Sequence, residues 1–214
     1  MSDVNFSIEN SLRPNGNEVI MGVDEVGRGP WAGPVTACAV ILDPDNIPVG
    51  LNDSKKLTAK RRFVLFEEIM NSSIVSYVHV DVDEIDEINI LQATFRAMER
   101  SISKLPVPDH ILIDGNKLPP NLPSPATAII KGDSKSASIA AASIVAKVIR
   151  DKLMVNLSIK YPGYFTERST ISSSRITFAT IDAAAIEADL LSPFIIAVAG
   201  LGRFGGNLLP SINI

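Results

Sequence analysis

The sequence predicts an α/β domain, and three observations carry the prediction. Apolar, β-branched runs alternate with helical patterns up to about residue 157. Hydrophobic residues make up 46% of the chain and charged residues 21%, which excludes wholesale disorder. At 214 residues the chain is long enough to bury a core without disulfides or structural metals. That length reads as one domain plus an appendage. Cys38 is the only cysteine, so a disulfide framework and multi-cysteine zinc sites are excluded. Only His79 and His110 are present, which speaks against histidine-rich metal sites.

Residues 1–18 are polar, with Asn, Ser, Pro and Gly, and read as a flexible N-terminal arm. Residues 19–23 form a first strand that runs into Asp24 and Glu25 and then the turn cluster Gly27-Arg28-Gly29-Pro30. Residues 35–42 form a second buried strand, and the two read as neighbours in a β-meander. A polar loop over 51–60 precedes a helix over about 59–72, with Phe63, Leu65, Phe66 and Ile69 apolar. Residues 76–82 alternate as a strand. An acidic run at 83–87 leads into a long helix to about Ser103, with Ile90, Leu91, Phe95 and Met98 at helical spacing. A short strand over 110–113 ends in Asp114-Gly115-Asn116. A proline-rich loop over 119–125 leads to a strand at 126–130, then a turn at 131–134. The helix predicted over 136–157 begins almost entirely small and apolar, so it is buried on most faces.

The character changes at about Tyr161. Lys160 is the last lysine, and the chain continues Ser/Thr-rich, alanine-rich and finally glycine-rich. The segment 195–206 matches G-x-G-x-x-G at Gly200, Gly202 and Gly205. Too few residues follow for the helix, second strand and acidic residue of a dinucleotide site. No nucleotide cofactor is therefore expected. The formal net charge of −4 argues against nucleic-acid binding by bulk charge, though not against a local basic face. No apolar run is long enough to span a membrane, and the first ten residues lack signal-peptide character. The default expectation is a cytoplasmic protein.

Four carboxylates stand out by position. Asp24 and Glu25 interrupt an apolar strand, Asp114 ends one, and Asp133 lies in a tight turn before a buried helix. Singly, each has a plain structural reading: a strand-end Asp is often a turn residue, and Asp133 could cap the helix after it. Converging, they suit a hard divalent cation with oxygen ligands, or two cations acting on a phosphodiester. Gly27 and Gly29 allow close backbone approach to a ligand, and Arg28 can contact phosphate. Ser54, Lys55 and Lys131 lie in polar loops that supply local positive charge. Lys147 and Arg150 either neutralise the acids or form the exposed face of their helix. His79 and His110 read as structural, and Cys38 as an inert core thiol. Trp31 either packs or stacks on a nucleobase.

The blocks GVDEVGRGPWAGPV (22–35), LNDSKKLTAKRR (51–62), DEIDEINILQAT (83–94), ILIDGNKLP (111–119), KGDS (131–134) and AASIVAKVIRDKLM (141–154) resemble, in order, those of bacterial ribonuclease HII, the type 2 ribonuclease H. The resemblance implies a ribonuclease H-like fold, a central mixed sheet flanked by helices. It implies endonucleolytic cleavage of RNA in RNA–DNA hybrids and at ribonucleotides embedded in duplex DNA, leaving 5′-phosphate and 3′-hydroxyl ends. Asp24, Glu25, Asp114 and Asp133 match the family's catalytic, metal-binding acids. Mn²⁺ or Mg²⁺ would be the cofactor, two ions with substrate bound. Gly27, Arg28 and Gly29 match the segment that reads the 2′-hydroxyl, with Ser54, Lys55 and Lys131 as further substrate contacts. The catalytic domain would cover residues 19–160 and act as a monomer.

From about residue 164 the resemblance stops, leaving 161–214 as an atypical tail. The family's junction tyrosine has no counterpart there, and an abrupt change of this kind is what a reading-frame shift produces. Two further expectations follow. The chain could bind hybrids with weak or no catalysis, or the acids could hold a structural cation in a scaffold protein.

Overall fold

The computed structural model describes residues 4–29 and 33–160, together with the backbone of a short strand at 196–198. In chain order the elements are α1 (Ser7–Ser11), β1 (Ile20–Val26), β2 (Val35–Leu42), α2 (Ala59–Ser72), β3 (Ser73–Val80), α3 (Val82–Ile88), α4 (Ile90–Ile102), β4 (His110–Asp114), β5 (Ala126–Ile129), a 3₁₀ turn (Gly132–Ser134), α5 (Ala137–Lys160) and β6 (Ile196–Val198). The strands form one mixed sheet in the order β5-β4-β1-β2-β3-β6. β1, β2, β3 and β6 run antiparallel in succession, while β4 lies parallel to both β1 and β5.

Both faces of the sheet are covered. Every residue of β2 is buried, which explains its uninterrupted apolar sequence. On one face Cys38, Val40 and Leu42 pack with Leu65, Phe66 and Ile69 of α2 and the alanine-rich start of α5. On the other, Ala37, Ala39 and Ile41 pack with Ala93, Ala97, Met98 and Ile102 of α4. Cys38 is fully buried, and burial pushes its thiol pKa well up, as expected of an inert core thiol.

α5 lies directly on β1. A Cβ added at Gly22 would stand 2.1 Å from the Ser138 carbonyl carbon and 2.5 Å from the Ile139 amide nitrogen. Only glycine permits that approach.

Several element boundaries differ from the sequence expectation. β1 runs through Asp24 and Glu25 to Val26, because both acids pair with β2 in register, opposite Cys38 and Ala37. β3 starts at Ser73, pairing with β2 over eight positions from Leu42 back to Val35. The acidic run at 83–87 is itself helical, in α3. Asn89, at φ 68°, breaks it from α4, and its side chain accepts from the Leu91 and Gln92 amides. The buried stripe of α4 includes Ala93 and Ala97 between the larger residues that spacing alone picks out.

Residues 4–18 do not form the loose arm that their composition suggests. Asn5 bridges to Ser136, and Glu9 is fully buried. One oxygen of its carboxylate accepts from the Ser136 hydroxyl at 2.6 Å and from the Ser138 amide at 2.8 Å. This small polar segment is ordered because it caps the N-terminus of α5. The junction-tyrosine region and most of the tail lie outside the described residues. Among the described residues no helix is long and apolar enough to cross a membrane.

Candidate active site

Parallel pairing of β1 and β4 sets the site. Val23 pairs with Ile113, so Asp24 and Asp114 follow at the same end of neighbouring strands. Asp24 is 5% exposed, and its Oδ1 accepts from the Glu25 amide at 2.7 Å. Burial holds its carboxyl well above the usual range, and the charges of Glu25 and Asp114 push it the same way. Ser143 on α5 acts in the opposite sense.

Glu25 is also raised, chiefly by burial. Arg28, 3.4 Å away, pulls it down, and Asp114 pushes it up. Asp114 Oδ1 accepts from the Gly132 amide at 2.6 Å, which ties the end of β4 to the 3₁₀ turn. That turn carries Asp133, 8% exposed. Asp133 is raised by burial, then by Asp53 and Asp114, while Lys55 acts against the rise. Asp114 is thus the common neighbour through which the four acids sense one another.

The donors are all carboxylate oxygens, three of them held in environments that disfavour their charge. This set fits a hard divalent cation, which would offset the mutual repulsion. Among the described residues, no three acids, histidines or cysteines already form a ready-made metal cage.

The other sequence-predicted residues are placed as follows. Gly27 has φ +108°, and a Cβ there would lie 2.6 Å from Arg150 Nε and 2.7 Å from the Pro34 carbonyl oxygen. Arg150 Nε donates to that carbonyl at 3.0 Å. The glycine turn therefore rests on α5, while Gly29 has open space around it. Arg150 is buried under the turn, so it does not lie on an exposed face. Lys147 pairs with Asp151 at 2.5 Å. Lys55 and Lys131 are exposed, and Lys131 adopts the left-handed conformation, φ 57°. Ser54 is 3% exposed and its hydroxyl lies 2.9 Å from that of Ser143. It is turned into the protein rather than toward solvent. Trp31 lies outside the described residues. His79, bonded to Thr36 at 2.8 Å, and His110, bonded to Thr127 at 2.9 Å, have partners within the fold.

Three residues escape the sequence reading. The charge of Asp53 raises Asp133, the Ser143 hydroxyl lies 2.9 Å from that of Ser54, and buried Arg62 clamps the Ser54 carbonyl at 2.9 Å. One signal was available for Ser143: a hydroxyl inside an apolar, buried helix must find a partner.

Comparison with known proteins places this arrangement. The ribonuclease H2 of Pyrococcus horikoshii OT3 is similar in structure, with TM-score 0.62 and 29% identity, over 73% of this chain and 82% of that one. The fold is that of the ribonuclease H class of nucleases. The family model "Ribonuclease HII" matches residues 21–187. Ribonuclease HII of Ruegeria pomeroyi is 55% identical over 170 residues, 79% of this chain and 73% of that protein. Ribonuclease HII of a Jannaschia species is 57% identical over 160 residues, 74% and 78%. The chain belongs to the ribonuclease HII family, metal-dependent endonucleases that act on the RNA strand of RNA–DNA hybrids. The family match runs past residue 164, where the resemblance read from the sequence stops.

Proposed function

We propose that Asp24, Glu25, Asp114 and Asp133 are the catalytic, metal-holding acids of an endonuclease that cuts RNA–DNA hybrids and single ribonucleotides embedded in duplex DNA. The observation that carries the reading is the convergence of buried, charge-disfavoured carboxylates on Asp114, beside the Gly27–Gly29 turn. Two Mn²⁺ or Mg²⁺ ions held by these acids would supply Lewis acidity for phosphodiester hydrolysis.

The chain's own residues do the rest. Burial of Asp24 and Asp133 keeps the ligand oxygens out of bulk water. The Gly27–Gly29 backbone, free of side chains at both glycines, approaches the sugar closely enough to read a 2′-hydroxyl. Arg28, Lys55 and Lys131 face solvent and hold phosphates flanking the scissile bond. Water adds to phosphorus and the P–O3′ bond breaks, leaving a 3′-hydroxyl and a 5′-phosphate. The catalytic unit in this reading is residues 19–160, with the packed 4–18 segment joined to it.

The test uses two labelled substrates, a duplex with one embedded ribonucleotide and a long RNA–DNA hybrid, each in Mn²⁺ and in Mg²⁺. The expected result is cleavage at the 5′ side of the ribonucleotide, lost in Asp24→Asn and Asp114→Asn. Undiminished cutting by either variant overturns the assignment. Binding without cutting by the folded parent protein favours a hybrid-binding protein instead.

A further inference from the structure

We infer that Glu9 is a positioning residue for the turn that carries Asp133, so the N-terminal segment helps set the metal-ligand carboxylates. The inference rests on the reading of Asp114 and Asp133 as metal-holding acids.

The geometry is a continuous run of hydrogen bonds. Glu9 is fully buried, so it acts through other residues and not on a nucleic acid. Its Oε1 accepts from the Ser136 hydroxyl at 2.6 Å and from the Ser138 amide at 2.8 Å. A serine hydroxyl has one proton to give. Ser136 gives that proton to Glu9, and its oxygen accepts from the Ile139 amide at 3.2 Å. Ser136 is thereby fixed where the 3₁₀ turn passes into α5. Its own amide donates back across Asp133 to the Gly132 carbonyl at 2.8 Å. The Gly132 amide donates in turn to Asp114 Oδ1 at 2.6 Å. One glycine therefore joins the Glu9 anchor to Asp114, and Asp133 is the residue after it.

Packing adds a second tie. Ile8 and Leu12 pack against Ile20, Leu112 and Ile139. A Cβ added at Gly132 would stand 2.5 Å from Ile139 Cδ1, so the turn rests on the same side chain that the N-terminal segment covers. The Ala137 amide donates to the Asn5 carbonyl at 3.2 Å. The turn has need of such anchors. It opens at Lys131 in left-handed backbone, φ 57°, a conformation that a non-glycine residue keeps where its surroundings hold it.

The experiment measures Mn²⁺ affinity by calorimetry without substrate, the Mn²⁺ dependence of cleavage, and hybrid affinity in EDTA, all on the full chain. Partners that orient a metal ligand change metal affinity by about 10–100-fold when removed. Glu9 acts through intervening residues, so Glu9→Ala should weaken Mn²⁺ binding by about tenfold, the low end of that range. Hybrid affinity in EDTA should be unchanged, and saturating Mn²⁺ should bring cleavage back toward the parent rate. Glu9→Gln, which keeps an accepting oxygen, should recover most of the loss. Ile102→Ala is the control. It truncates a buried core residue of α4 on the opposite face of the sheet, so it lowers stability and should leave Mn²⁺ affinity at the parent value.

Parent-like Mn²⁺ affinity in Glu9→Ala overturns the inference. So does an equal loss in Ile102→Ala, because a loosened fold alone would then explain it. If Glu9→Ala does not fold, Ser136→Ala removes only the hydroxyl link and carries the same expectation and the same refutation. Asp133→Asn separates the two levels. If it leaves Mn²⁺ affinity intact, the metal-holding reading of Asp133 fails and this inference fails with it. If it weakens Mn²⁺ binding and Glu9→Ala does not, only this inference fails. Melting curves in EDTA establish that each variant is folded.

Discussion

Replacing Gly22 with alanine should damage stability and chemistry together. The new methyl would lie 2.1 Å from the Ser138 carbonyl carbon and 2.3 Å from its oxygen, where ordinary contact begins at 3.4 Å. The deficit against the carbonyl carbon is 1.3 Å, and both partners are backbone, so no side chain can rotate away. α5 must move off β1 by about that distance. Overpacking of this kind costs about 1–3 kcal/mol when side chains yield, and a backbone-to-backbone clash belongs at the upper end. Against a total of about 5–15 kcal/mol the loss is large. The same movement shifts α5 against β1, which bears Asp24, and against the turn that bears Asp133. Misplacement of about 1 Å can cost about 10²-fold in rate. The assay is urea unfolding of parent and variant, followed by cleavage in Mn²⁺ at a temperature where both are folded. Gly29→Ala is the stability control, since nothing lies within 4 Å of its added Cβ. A Gly22→Ala protein within about 0.5 kcal/mol of the parent, with its rate unchanged, would refute the packing argument.

Three other perturbations have definite expected outcomes. Glu9→Ala removes the acceptor for the Ser136 hydroxyl and Ser138 amide. It should cost about 2 kcal/mol in urea unfolding, and a neutral result would mean that the N-terminal segment does not support α5. Asp24 has a folded pKa well above its unfolded value, so its stabilising contribution is present at low pH and lost as pH rises through that folded pKa. Metal-free protein should therefore lose stability on that rise, Asp24→Asn should flatten the loss in melts taken in EDTA, and equal slopes would count against it. His79 behaves oppositely, with burial foremost and Arg150 second lowering it from 6.5 to about 4. Its contribution is complete above 6.5 and falls by about 3 kcal/mol as pH drops through about 4. His79→Gln should be correspondingly less acid-sensitive in urea unfolding at pH 7 and pH 4.5, and an unchanged difference would remove His79 from the account.

The sequence was most readable where one physical demand acts alone. β2 and the start of α5 are apolar on every side because they are buried on every side, so their runs are continuous. The four acids were legible because charge in or beside apolar strands needs a reason. The boundary at Ser72–Ser73 was hidden because α2 passes into β3 with no intervening turn residue. Ser54 was read as a substrate contact because polar loops are usually solvated, and only the fold brings Ser143 against it, 89 positions later in the chain. Arg150 admitted two readings from its helix position, and the pocket under the Gly27 turn imposes a third. Glu9 gave no local signal, since its partners lie 127 and 129 positions away.

The two neighbours of β1 differ in how far they are from it along the chain. β2 folds back from the adjacent segment, while β4 arrives parallel after α2, β3, α3 and α4 have intervened. The β1–β2 hairpin can form early from local contacts, but Asp24 gains its Asp114 neighbour only after a long loop has closed, which is slow. The cap from Glu9 comes later still, since it needs residues 136 and 138. During synthesis, an emerging chain can hold half a sheet, with Asp24 and Glu25 on it, for some time before it holds the whole acid cluster. Assembly of that cluster is then tied to the docking of α5, one of the last steps of folding.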